Sequence, residues 1–224
     1  MGSKNKLKRF KENETLKNVI QPKRELLEKD AFEFKGRWHS DFFKNDKPII
    51  LELGCGKGEY TLYLATQNTD KNLIGIDIKG ARFWRGAKTA FEKNLENIAF
   101  IRAQIELIDT IFSKGEVVEI WITFPDPQIK FKKAKLRLTH PEFITKYKQI
   151  LHPSGSVHLK TDSEFLYGYT LGILNDPAYD ILYAHHDIYN NSQAPRSATD
   201  VQTYYEKMFL EENKPITYLE FKFN

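Results

Sequence analysis

A chain of 224 residues with 41% hydrophobic content is long enough for one domain of ordinary size, or one with an extension, and rich enough for a sizeable core. No apolar run approaches the roughly 18 residues of a membrane span. The start lacks the apolar region of a signal peptide, and the single cysteine, Cys55, excludes an internal disulfide and a cysteine-rich metal site, pointing to a reducing cytoplasm. The net charge of +4 is a mild bias that matters only where the charges cluster.

Met1-Gly2 hints at myristoylation, but position 6 is Lys6 rather than Ser or Thr, which dismisses it. Lys4, Lys6, Lys8, Arg9 and Lys11 then follow without an acid. Such a run is either a solvated, partly disordered tail or an arm for nucleic-acid phosphates, and both readings stay open. Residues 23–43 read as partly helical, then carry Phe32, Phe34, Trp38, Phe42 and Phe43, a flap packed on a sheet. Asn45-Asp46-Lys47-Pro48 is a turn. Residues 1–48 are thus expected to form a basic arm and aromatic flap, and residues 49–224 the main domain.

The main domain opens with IILELGCGKGEY, residues 49–60. A buried strand carries Glu52 near its end, glycines follow at Gly54, Gly56 and Gly58, and an amphipathic helix begins. Strand, glycine turn, helix is the opening unit of a nucleotide-binding α/β sheet. A P-loop would need a glycine where Leu51 stands and a Ser or Thr where Gly58 stands; a dinucleotide fingerprint would need its third glycine where Glu59 stands. The actual spacing, G-x-G-x-G after an acid, resembles motif I of class I S-adenosylmethionine-dependent methyltransferases.

Residues 72–78 read as a second strand ending at Asp77, about 20 residues beyond the glycine turn, the place of an acid that takes ribose hydroxyls. A helix over 80–95, a third strand over 98–103 and a fourth over 117–124 follow. The fourth ends in Pro125-Asp126-Pro127, which places Asp126 with Glu52 and Asp77 along the carboxyl edge where such sheets bind ligands. Lys130, Lys132, Lys133, Lys135 and Arg137 come next, with Phe131 among them and no acid from 127 to 141. Beside that edge, the run favours a polyanionic substrate over a merely solvated face. A helix over 141–151, a turn at Pro153-Ser154-Gly155, a strand over 156–161 ending at Asp162, a helix over 165–174, strands over 179–186 and 215–223, and between them a polar loop and a helix over 201–210, complete the pattern. The fold expected is α/β, Rossmann-like, with a mostly parallel seven-stranded sheet and helices on both faces. None of the six histidines shows the H-x-x-x-H spacing of a helical metal pair.

The chain resembles the tRNA (guanine-N7-)-methyltransferase family, in its bacterial single-chain form. The resemblance is carried by LELGCGKG (51–58), GIDIK (75–79), FPDPQIKFKKAKLRL (124–138), HLKTD (158–162) and TYYE (203–206), in the family's order. It implies S-adenosylmethionine as cofactor, held by Glu52, Gly54, Gly56, Gly58, Asp77, Gln104 and Asp126, with Asp126 also the catalytic acid. It implies a tRNA guanosine in the variable loop as substrate, met by Lys130, Asp162, Thr203, Tyr204, Tyr205 and Glu206. It further implies a cytoplasmic protein without metal, monomer or homodimer. Two positions depart from the family's pattern. Gln128 stands where the family has Trp, which removes a stacking surface, and Gln104 stands where it has Asp, though an amide still hydrogen-bonds adenine.

The chemistry asks little of a base. Guanine N7 is a bare lone pair, so in-line attack on a sulfonium methyl needs positioning, and a nearby carboxylate stabilises the positive charge the purine gains. Asp126 is the candidate; Asp162 could instead hold the base through its N1–H and exocyclic amine, and the two roles stay open. Thr203 and Glu206 also match T-x-x-E, a capping box, which can coexist with substrate contact. The competing readings are another methyltransferase acting on RNA, an NAD-type Rossmann enzyme, and a non-catalytic RNA-binding protein; intact Glu52, Asp77, Asp126 and Asp162 argue against the last.

Overall fold

This computed structural model describes residues 3–224, with side chains from Asn5 onward. The Met1-Gly2 start and the Lys4 side chain lie outside the described residues. The basic run forms a helix, α1 (Ser3–Asn13), rather than an unstructured tail. A two-residue strand, β1 (Val19–Ile20), and a short helix, α2 (Arg24–Glu28), lead to a π-helical turn at Trp38–Phe43. The Rossmann-like alternation then runs β2 (Ile49–Leu53), α3 (Glu59–Gln67), β3 (Asn72–Ile76), α4 (Gly80–Glu92), β4 (Ile98–Ile101), α5 (Ile108–Ile111) and β5 (Val117–Thr123). It closes with α6 (Pro141–Ile150), β6 (Leu151–Thr161), α7 (Glu164–Leu174), β7 (Tyr179–His185), α8 (Arg196–Thr199), α9 (Tyr204–Glu211) and β8 (Thr217–Phe223).

Among the described residues the sheet has eight strands, in the order β1-β4-β3-β2-β5-β6-β8-β7, with β8 antiparallel to both neighbours and the other pairings parallel. The seven expected strands are there. The eighth, β1, extends the β4 edge, pairing Val19 with Phe100 and Ile20 with Ile101; two residues are too short for a period to register. Pro153-Ser154-Gly155 does not precede a strand. It forms an irregularity inside β6, where the register against β5 jumps between Leu151 and Ser156.

Strand alternation sorts the interior into two cores. Ile49, Leu51 and Leu53 join Ile74, Ile76, Ile120, Ile122, Leu159 and the helices that carry Phe112, Tyr147 and Leu166. Phe32, Trp38 and Phe43 belong to this same core, Trp38 stacking on Phe112 at 5.6 Å. On the opposite face Ile50, Leu73, Phe100 and Trp121 meet Tyr60 and Leu64 of α3 and Phe83 and Ala87 of α4. Glu52 and Thr123 point to this second face by the same alternation.

Helix α1 lies on α4. Asn13 donates to the Gly80 carbonyl at 3.0 Å, Glu12 pairs with Lys88 at 2.6 Å and accepts from the Trp84 indole at 2.8 Å, and the Arg9 guanidinium sits 4.6 Å over the Trp84 ring. No helix among the described residues is long and apolar enough to cross a membrane.

Candidate active site at the carboxyl edge of the sheet

The glycine turn is set by sterics. Gly54, Gly56 and Gly58 all adopt positive φ, and a Cβ on Gly58 would stand 2.6 Å from a Phe100 ring carbon. Gly58 is therefore packed against β4 and α4, and it does not line the cavity. Gly56 is the opposite case: a Cβ there would meet nothing closer than the Gly54 carbonyl at 3.8 Å, so its missing side chain leaves space on the open side.

That space is a cavity of about 100 Å³ lined by Glu52, Gly54, Cys55, Gly56 and Asp77, with Thr123 and Phe124 from the β5 end and Thr203 and Tyr205 over the top. Glu52 forms part of its lining and is buried. Its two carboxyl oxygens meet the hydroxyls of Thr61 and of Thr123, the latter at 2.6 Å. Burial pushes its carboxyl up to about 7, only partly offset by those two hydroxyls. Asp77 accepts from the Gly56 N–H at 3.1 Å and from the Lys79 N–H at 2.7 Å, which fixes the acid at the mouth of the turn. Burial and the neighbouring Glu52 and Asp77 charges hold the Cys55 thiol well above its usual range.

Beyond β5 the chain is strained. Phe124 and Gln128 both take positive φ, 48° and 45°, on either side of Pro125-Asp126-Pro127. Left-handed backbone at non-glycine residues costs on the order of 1–3 kcal/mol each and persists where the surroundings impose it. At the Gln128 end the loop is held by Arg137. Its guanidinium donates to the Gln128 carbonyl at 3.3 and 3.2 Å and to Ile129 at 3.4 Å, and it stacks over Phe165 and Tyr169. Arg137 is thus buried and turned inward, so it does not belong to the cationic surface that the sequence groups it with. Lys130, Lys132, Lys133 and Lys135 remain outside, Lys135 paired with Glu142 at 3.0 Å. Asp126 is exposed; its carboxylate accepts the Gln128 N–H at 3.1 Å. Asp162, at the end of β6, is half-buried, and its carboxyl is raised chiefly by that burial.

Helix α9 closes the top. Thr203 and Glu206 form the reciprocal capping box, with bonds of 3.4 and 3.2 Å. Glu206 is fully buried, accepting from Lys160 of β6 at 2.6 Å and from the Tyr189 hydroxyl at 2.7 Å. Burial lowers the Lys160 ammonium's pKa, against the pull of Glu206. With these partners both carboxylate oxygens of Glu206 are bonded within the protein. The first N–H of α9, from Tyr204, goes to Glu59 at 3.1 Å, and Lys57 sits 3.6 Å over the Tyr204 ring. Gln104 does not line the cavity, and its side-chain oxygen accepts from Arg24.

The cavity therefore gathers Glu52, Gly54, Gly56, Asp77, Thr203 and Tyr205; Gly58, Gln104, Asp126, Lys130, Asp162, Tyr204 and Glu206 do not line it. Thr61, Thr123, Lys57 and Lys160 were not anticipated. Lys57 stood in view inside the glycine motif; the others act through strand ends and tertiary pairing. Among the described residues no group of His, Cys, Asp or Glu could hold a metal ion.

A methyltransferase family model, Methyltransf_4, matches residues 46–219. Among solved structures, the 16S rRNA methyltransferase KamB superposes with a TM-score of 0.65 over 86% of this chain and 95% of its own, at 13% identity. An A1408 methyltransferase of the 30S ribosome from an uncultured bacterium superposes at 0.60 over 83% and 92%, at 16% identity. Both likenesses are of fold, and it is the Rossmann-like fold of class I S-adenosylmethionine-dependent methyltransferases. The tRNA (guanine-N(7)-)-methyltransferase of Christiangramia forsetii is 64% identical over 99% of both chains, and that of Porphyromonas gingivalis 46% identical over 93% of this chain and 85% of its own. With its glycine turn, its paired acids and this full-length similarity, the chain belongs to the tRNA (guanine-N7-)-methyltransferase family.

Proposed function

We propose that this protein transfers a methyl group from S-adenosylmethionine to N7 of a guanosine in the variable loop of tRNA. The observation that carries the reading is the meeting of Glu52, Asp77 and the glycine turn in one cavity, with the Pro125-Asp126-Pro127 loop leaving the neighbouring strand. Bound there, S-adenosylmethionine supplies an electrophilic methyl on a sulfonium. Asp77 is suited to its ribose hydroxyls, and Glu52 to its cationic amine. The donor set fits such a group: an acid floor, glycine backbone for close approach, and the open side at Gly56.

The substrate needs no base, since N7 carries no proton. Asp126, held in a strained loop by Arg137, is positioned to stabilise the positive charge the purine gains. Asp162 is suited to the N1–H and exocyclic amine of the base, and Lys130 and its neighbours to the flanking phosphates. The capping box of Thr203 and the exposed rings of Tyr204 and Tyr205 face the same edge, offering aromatic surface to an unstacked base. A tRNA substrate implies a cytoplasmic enzyme.

The test is incubation with methyl-labelled S-adenosylmethionine and bulk tRNA, followed by nucleoside analysis. Label in 7-methylguanosine is expected; label in another nucleoside, or none, would overturn the reading.

A further inference from the structure

We propose that a second basic surface, on the opposite side of the cofactor cavity from the Lys130 run, is a binding groove for the sugar–phosphate backbone of the RNA. The inference rests on the tRNA reading above and extends it to a site made by the N-terminal helix. The groove, about 760 Å³, runs between α1, the start of α4 and the end of β4. Seven cations line it: Lys6 and Arg9 from α1, Lys57 from the glycine turn, Lys79, Arg82 and Arg85 around the start of α4, and Arg102 after β4. Its one acid, Glu59, already accepts the Tyr204 N–H.

Three observations argue for a polyanion. First, Lys6, Lys57, Lys79, Arg82, Arg85 and Arg102 have no ion-pair partner among the described residues, so the charge they gather in this one groove meets no paired counter-charge from the protein. Like charges gathered without counter-charges are costly to the fold and make sense with a ligand that neutralises them. Second, the groove is held in shape. Asn13 and Arg9 hydrogen-bond the Gly80 and Ala81 carbonyls, and Arg102 sits 4.7 Å from the Phe10 ring, so α1 is fixed as one wall. Third, Gly56, Lys57, Arg82 and Tyr205 line both this groove and the small cavity, so the two are contiguous. An adenosine moiety at Asp77 carries no phosphate and leaves this charge unanswered. In the strand order β4-β3-β2-β5, the groove stands at the β4–β3 side and the Lys130 run follows β5. An RNA strand gripped on both sides would have its target base presented over the cofactor.

The test is the triple substitution Lys6→Gln, Lys79→Gln, Arg85→Gln, all at exposed side chains. Binding of unmodified tRNA is read by gel shift across a salt series, alongside adenosylhomocysteine affinity, melting temperature and methylation kinetics. The slope of log affinity against log salt is expected to fall by about 2 to 3, and the KM for tRNA at moderate salt to rise roughly tenfold or more. Adenosylhomocysteine affinity and kcat at saturating tRNA are expected to hold, and Lys6→Arg with Arg85→Lys should restore the KM. An unchanged slope and KM would make the groove a solvated face and overturn the inference, as would loss of adenosylhomocysteine affinity in place of tRNA affinity. A wild-type protein that binds tRNA with this salt dependence but yields no 7-methylguanosine would sink the proposed reaction and leave the groove standing.

Discussion

The two halves of the carboxyl edge are built differently. On the half proposed for the cofactor, Glu52 and Asp77 are buried, and every carboxyl oxygen already has a protein partner. On the half proposed for the substrate, Asp126 is exposed on a strained loop, Asp162 is half-buried and the lysines are exposed. A small ligand of fixed shape needs a site made in advance; a macromolecule can bring its own order and needs an open, charged surface. The exception is α9, which overhangs both halves and is pinned from inside by the Lys160–Glu206 pair.

Breaking that pair is expected to give the largest effect. Glu206→Ala leaves Lys160 buried and unpaired, a loss of about 3–5 kcal/mol, read as a fall in urea midpoint. Glu206→Gln keeps the cap geometry but removes the charge, and it should also destabilise, unlike a change at a simple capping box. Thr203→Ala, which removes the cap and leaves the Lys160–Glu206 pair in place, should cost about 1 kcal/mol. Equal losses at the two positions would mean that the pair contributes nothing beyond capping.

Next comes Asp126→Ala. Loss of an electrostatic stabiliser in the transition state is expected to lower kcat about 10²–10³-fold, with melting temperature unchanged because the side chain is exposed. A near wild-type single-turnover rate would remove Asp126 from the chemistry.

The pH dependence sharpens the cofactor side. The Glu52 carboxyl rises from 4.5 to about 7, so between these values the unfolded chain ionises while the folded one keeps its proton. Stability from this group therefore falls as pH rises through that window and levels above it, by about 3 kcal/mol in all. Burial drops the His158 imidazole from 6.5 to about 4, where it stacks on Trp121 at 4.0 Å. Its sign is opposite: stability is lost as pH falls from 6.5 toward 4. The two slopes oppose one another over most of their range. Glu52→Gln should expose the rising arm, measured as unfolding free energy at pH 5, 6 and 7, and parallel curves for parent and variant would refute it. Adenosylhomocysteine affinity in the parent should rise from pH 6 to 8, since a cationic amine favours the ionised acid.

The smallest effect belongs to the open lysines. Lys132→Gln with Lys133→Gln should reduce the salt slope of tRNA binding by about 1 to 2 without moving the melting temperature. No change in slope would leave the half without an RNA contact there.

What could be read from the sequence was local. The glycine turn, Glu52 and Asp77 follow from spacing within one βαβ unit, and the seven longer strands from apolar runs bounded by turns. What could not be read depends on partners far apart in the chain. Arg137 looks like one more cation in a basic run until Gln128, Phe165 and Tyr169 claim it. Glu206 reads as a cap because the cap is local; its bond to Lys160 is not. The basic start looks like a tail because nothing in it announces that Asn13, Glu12 and Arg9 will find α4.

Cys55 is the chain's one thiol, buried in the second core at the lining of the cavity that Thr203 and Tyr205 roof. A buried thiol is slow to meet alkylating reagents until its surroundings open, so its reaction rate tracks the population of the opened form. The protein therefore carries its own timer for the breathing of that roof. Adenosylhomocysteine should slow it, Glu206→Ala should speed it, and a second cysteine placed on the surface would be labelled long before the first.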